Sequence, residues 1–183
     1  MNLLNTILIF AVAFLAVFGE AALPGMRSLL GAQVDLLPAL MVYAGLNASL
    51  PVIASLAIFG GLWFDVLSAN SLGVTILPLF VLGLVIFMKR DLILSELPFA
   101  QLVLGAAASA AVPVLVVLLL LTLGRSPLLG WASLWQWLVM TAGGAIATPI
   151  IFELFNWLNQ VFGYQVRKET SFRPDREILR GRH

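Results

Sequence analysis

At 183 residues the chain is 61% hydrophobic and only 10% charged, with a mean hydropathy of +1.05, against roughly 45–50% apolar and about 25% charged for soluble domains. That balance excludes an ordinary soluble fold. The net charge of +1 carries no information about partners and no nucleic acid is expected, while the absence of cysteine excludes a disulfide framework, a thiolate metal site and a cysteine nucleophile.

The charged residues leave Leu3 to Gly19, Leu36 to Phe64, Val66 to Met88 and Leu97 to Gly124 free of Asp, Glu, Lys and Arg. Uncharged apolar runs of about 17 residues or more read as membrane spans. The first span is expected over Leu3 to Val17, closing near Glu20, Pro24 and Gly25. Small residues after this core resemble a secretory cleavage site, but no positive charge precedes it, which favours a retained helix.

The run from Leu36 to Phe64 is too long for one ordinary crossing and too short for two, at about 20 residues each. Asn47-Ala48-Ser49-Leu50-Pro51 offers a turn, because Pro51 disfavours helix at Leu50 and donates no hydrogen bond. Splitting there predicts spans near Ser28 to Asn47 and Leu50 to Ala69, with Asp35 and Asp65 inside them. A tight hairpin then puts both aspartates on one side of the membrane, where they could face a shared polar pocket. One long tilted helix is the competing reading.

The fourth span is expected from Leu72 to Met88, stopping at Lys89-Arg90-Asp91. The fifth, Phe99 to Leu123, carries small residues from Gly105 to Ala111 that allow close backbone approach, so this half should pack against protein. After a turn at Arg125, Ser126 and Pro127, Trp131, Trp135 and Trp137 read as an interfacial belt and as the start of a short surface helix. The last span, Leu138 to Phe162, places Glu153, Asn156 and Gln160 on one helix face. Residues 1–163 are thus expected to form an all-α integral membrane protein, a bundle of about six transmembrane helices. Residues 164–183 form a basic tail.

If both termini are cytoplasmic, eight of the ten cations lie inside: Lys89, Arg90, and Arg167, Lys168, Arg173, Arg176, Arg180 and Arg182 of the tail. The positive-inside bias selects that orientation, with Arg27 and Arg125 outside. Asp35 and Asp65 then sit near the outer face and Glu153 toward the inner leaflet.

No catalytic constellation is visible, since the one histidine is the terminal His183 and no nucleophile elbow, phosphate loop or metal-ligand spacing occurs. Neither enzyme activity nor a cofactor is expected; the residual chemistry would be two-acid work by Asp35, Asp65 or Glu153. Asp65 has two readings, a cap on the following turn with Ser68, Asn70 and Ser71, or part of a polar pocket for an ion, solute or partner side chain. Asp35 divides in the same way. Glu153 should point to the bundle interior and find a partner, in a structural or a partner-binding role. The tail is either a solvated end near anionic lipid or a docking peptide anchored by Phe172 and Ile178.

Asp35-Leu36-Leu37 leads into an apolar run with Tyr43, followed by Gly60-Gly61, then Phe64-Asp65-Val66-Leu67-Ser68, three residues, and Leu72-Gly73. This pattern resembles the rod shape-determining protein MreD family, over about residues 1 to 165. The resemblance implies a non-enzymatic, multi-pass protein of the bacterial inner membrane. Its implied role is an adaptor that holds the periplasmic scaffold MreC and links it with MreB and the peptidoglycan polymerase and transpeptidase. The matching positions Asp35, Gly61, Asp65, Leu67, Ser68, Leu72 and Gly73, with Glu153 and Asn156 from the residue reading, are the candidate fold or interface residues. On this reading the small-residue faces of the fifth and sixth spans would receive partner helices. The alternative is a substrate-binding component of a vitamin-uptake transporter, likewise a small six-span protein.

Overall fold

A computed structural model describes residues 3–22, 31–68, 72–93, 97–125 and 130–163. The expected turn at Pro24, Gly25 and Arg27, residues Asn70 and Ser71, the Ser126-Pro127 turn and the tail from Tyr164 to His183 lie outside them.

The described residues form six α-helices and no strand: α1 Leu3–Ala22, α2 Leu37–Asn47, α3 Leu50–Leu67, α4 Ile76–Lys89, α5 Pro98–Thr122 and α6 Trp131–Gly163. A single 3-10 turn, Arg90–Leu92, closes α4. Three segments, Leu50–Leu67, Pro98–Thr122 and Trp131–Val161, are long and apolar enough to cross a membrane. The all-helical, membrane-type expectation holds at that level.

Proline marks the start of three helices. Pro38, Pro51 and Pro98 occupy first-turn positions of α2, α3 and α5, where the missing N–H would have had no helical partner. The break between α2 and α3 falls at Ala48-Ser49, inside the turn expected from Pro51, so the long apolar run is two helices rather than one. Ser49 turns extended while its carbonyl accepts the Ile53 N–H at 3.1 Å.

Two elements are shorter than the sequence suggested. α2 begins at Leu37 rather than near Ser28 and spans 11 residues, about 16 Å at 1.5 Å per residue. Residues 31–36 are non-helical because side chains from other elements hold their backbone, as described below. α4 begins at Ile76 rather than Leu72 because Leu72 to Thr75 form a turn drawn onto Asp65.

α2 is the core. Every residue from Leu37 to Gly45 is buried, as expected for a helix apolar on all faces, and α2 touches each of the other five helices. Large apolar side chains instead cover the exterior, including Phe14, Phe18, Trp63, Met88, Phe99, Leu118 and Ile146. A shell of that size is a liability in water and ordinary against lipid.

α5 and α6 make the most extensive helix pairing. A Cβ on Gly105 would overlap the Thr148 hydroxyl and one on Gly144 would overlap Ser109, so the two backbones approach as closely as small residues permit. The small-residue faces of these helices are therefore buried on each other, and the expectation that they receive partner helices is corrected. α6 also runs unbroken through the aromatic belt. No separate surface helix forms, because the Trp131–Leu138 segment contains no breaker and Trp137 Nε1 donates to Ala110 O of α5 at 3.0 Å. Trp131 and Trp135 remain exposed.

Candidate functional site

Three of the matched residues, Gly61, Asp65 and Gly73, assemble into a clasp between the end of α3 and the start of α4. Asp65 lies in the last turn of α3 and is fully buried. Its Oδ2 accepts the Gly73 N–H at 2.8 Å and the Thr75 N–H at 3.2 Å, and its Oδ1 accepts the Thr75 hydroxyl. Three donors thus converge on one carboxyl group, and its acceptor capacity is largely engaged. Asp65 holds the following turn; of the partners its first reading named, Asn70 and Ser71 lie outside the described residues. The partners are Gly73 and Thr75, whereas the Ser68 N–H stays on Phe64 O at 2.8 Å.

The clasp explains the glycines around it. Gly73 has φ +89, a backbone state that side chains disfavour by roughly 1–2 kcal/mol, and it is this turn that aims its N–H at Asp65. A Cβ on Gly61 would come within 3.0 Å of the Ile76 backbone, so only glycine lets the start of α4 lie against α3 at that point. Leu67 and Leu72 are exposed and Ser68 is half-buried; of the matched positions these three make no contact that explains them.

Asp35 works at the start of α2. It is 2% exposed and its Oδ1 accepts the Leu37 N–H at 2.9 Å, while Glu20 Oε1 from α1 accepts the adjacent Leu36 N–H at 2.7 Å. Two acids therefore satisfy orphan donors at a helix N-terminus, where the helix dipole favours them. The same segment is fixed from α6. The Gln33 N–H donates to Gln136 Oε1 at 3.0 Å and Gln136 Nε2 returns to Gln33 O at 2.7 Å, while Val34 fills the space beside Gly143.

Both aspartates do lie toward the same end of the bundle, since Leu37 packs against Gly60. Among the described residues each carboxyl is turned to a different helix start. Neither lines the groove of about 980 Å³ between α5 and α6, walled by Pro113, Val117, Leu118, Leu134, Trp137 and Met140. Nor does either line the smaller α1–α3 groove around Phe14 and Trp63.

At the opposite end, α6 is fixed by aromatic packing. The Tyr43 ring stacks on Phe155 at 4.0 Å and meets Phe152 edge-on at 5.1 Å, and its hydroxyl bonds the side chains of Asn5 and Asn159. With Phe152 and Phe155 turned inward, Glu153, Asn156 and Gln160 are turned outward and exposed. The expectation that Glu153 faces the interior is corrected: the buried face of this helix is claimed by Tyr43 and its neighbours.

Four features were missed from sequence: Glu20, Thr75, the Gln33–Gln136 pair and the Tyr43–Asn159 contact. Glu20 carried a readable signal, an acid at the end of a span with no cation near it. The other three depend on which elements meet, which spacing alone does not encode. Among the described residues no group of three or more His, Cys, Asp or Glu side chains is placed to hold a metal.

No family model, characterised protein or solved structure matches the chain. The fold and clasp define an all-helical membrane-type protein in which Asp65 joins the end of α3 to the start of α4.

Proposed function

We propose that the chain is a non-enzymatic adaptor of the bacterial wall-elongation machinery, a six-span inner-membrane protein of the rod shape-determining MreD type. The observation that carries this reading is the clasp: three residues of the resemblance, Gly61, Asp65 and Gly73, coincide with a structural joint. Asp65 is committed to backbone and hydroxyl donors of the next helix, which suits a scaffold better than a reaction centre. Asp35 is likewise committed to the start of α2, the helix at the centre of all the others.

On this reading all six helices lie in the membrane, the short α2 and α4 embedded by their neighbours, with both termini cytoplasmic. The bundle holds MreC and couples it to MreB and the peptidoglycan polymerase and transpeptidase. The transporter alternative needs a ligand cavity built on Asp35 and Asp65, and their commitment to helix starts favours the adaptor.

Depletion in a rod-shaped host followed by microscopy is the test. Conversion of rods to spheres, with MreC retained by the tagged wild-type chain, is the expected result. Unchanged cell shape and no MreC retention would refute the proposal.

A further inference from the structure

On the six-span reading, the Glu153 end of the exposed polar stripe on α6 lies inside the apolar layer rather than beyond it. The Tyr43–Phe155 stack sets α6 and α2 side by side in parallel, as does the Gln33–Gln136 pair at the other end. Gly45 packs on Ile86 of α4, so Asn47, the last residue of α2, and Lys89, the last of α4, mark one common level at the cytoplasmic end. Glu153 stands about six residues above that level, roughly 9 Å into the apolar layer at 1.5 Å per residue.

α5 does not cover this stretch. It runs antiparallel to α6, with Ala110 opposite Trp137 and Gly105 opposite Gly144 and Thr148. Continuing that register puts its first residue, Pro98, level with about residue 152. From Glu153 onward α6 keeps α2 on one side and loses α5 on the other. The face left open carries Glu153, Asn156, Trp157 and Gln160, all exposed, with Trp157 57% exposed.

Glu153 has no partner among the described residues; of the charged groups near this end, Arg90 is engaged with Asp91 at 3.8 Å and with the Phe87 ring, and Lys89, at the end of α4, makes no ion pair with it. A carboxyl group facing lipid at that depth is unfavourable by a few kcal/mol. Asn156 and Gln160 add hydrogen-bonding groups along the same line, and Trp157 adds the large amphipathic surface enriched at interfaces.

We propose that this face of α6 is the docking surface for the cytoplasmic end of a partner's membrane-spanning helix bearing a lysine or arginine. Charge complementarity selects that occupant. Spanning helices carry their cations at the cytoplasmic flank, and the long aliphatic stems of those residues bring the charge several ångströms into the bilayer. The cation meets Glu153, the partner backbone lies along Asn156 and Gln160, and Trp157 packs on its apolar flank. A second copy of this chain would instead oppose Glu153 to Glu153.

The inference rests on the adaptor reading and deepens it by naming the surface that holds MreC. The test is capture of MreC by the full-length tagged chain, co-expressed and extracted into lipid nanodiscs. Glu153→Lys is expected to lower capture at least roughly tenfold, as for a charge pair turned repulsive, and Glu153→Gln by less. Exchanging the juxtamembrane cation of MreC for glutamate should restore capture by Glu153→Lys. The chain has no cysteine, so Asn156→Cys and Gln160→Cys should each cross-link to a cysteine placed at that end of the MreC helix, while Ile58→Cys, on an exposed apolar face, should not. If Glu153→Lys fails to fold, the Glu153→Gln capture and the cross-links decide. Undiminished capture with Glu153→Lys, or cross-linking from Ile58 instead of the stripe, overturns the inference and leaves the adaptor reading standing. No capture by the wild-type chain overturns both.

Discussion

Replacing Asp65 by alanine removes both acceptors of the clasp at a position with no solvent access. The Thr75 N–H then loses its acceptor in a buried position and the Gly73 N–H in a part-buried one; the Thr75 hydroxyl can rotate to another oxygen and is left out of the count. Each buried donor without an acceptor costs about 1–3 kcal/mol, so the loss is about 2–6 kcal/mol, a large part of the total stability of an ordinary domain. At about 2–4 °C per kcal/mol for a chain of this size, the melting midpoint should fall by roughly 5–20 °C. Its five tryptophans give a fluorescence readout in detergent or nanodiscs. Asp65→Asn should lie between Ala and wild type, since its one carbonyl oxygen still accepts but its amide opposes the converging donors. A midpoint for Asp65→Ala within about 1 °C of wild type would refute the clasp as the joint between α3 and α4.

Three further outcomes follow from the packing. Gly144→Ala places a methyl group onto Ser109 and should destabilise the chain by about 1–3 kcal/mol, measured in the same melt, whereas Gly130→Ala, which meets nothing within 4 Å, should not. Gln136→Leu breaks both bonds to the Gln33 backbone and should cost about 1–3 kcal/mol, mostly from the unsatisfied Gln33 N–H; faster hydrogen exchange at Gln33 would locate the effect. Cysteines substituted for Arg90 and Arg125 should react with an impermeant maleimide from the cytoplasmic and the outer side respectively, and the reverse pattern would invert the orientation.

Much of the architecture was legible because it follows from local chemistry. Pro51 with its preceding turn residues located the α2–α3 break to within two positions, and the uncharged runs located the helices. What the sequence left open was contact-dependent. Asp65 could be read as a cap, but its partners lie eight and ten residues ahead, across a turn whose shape depends on Gly73. Gly105 to Ala111 were read as a close-packing face, and they are, but on Gly144 and Thr148 of the same chain. The register of Glu153, Asn156 and Gln160 was correct as a face. Periodicity fixes which residues share a face and leaves its direction to the neighbours, and Tyr43 stacking on Phe155 turned that face outward.

The brevity of α4 has a consequence for how the protein is made. At 14 residues it is about 21 Å long, short of the roughly 30 Å hydrocarbon layer, so it partitions poorly as an independent segment. The Asp65 carboxyl presents an acceptor to the turn that begins α4, and Gly61 opens the space against which Ile76 lies. On the six-span reading, membrane entry of the fourth helix is guided by the third, and the order of synthesis becomes part of the fold: the α2–α3 hairpin emerges first and serves as the template on which the next helix is received.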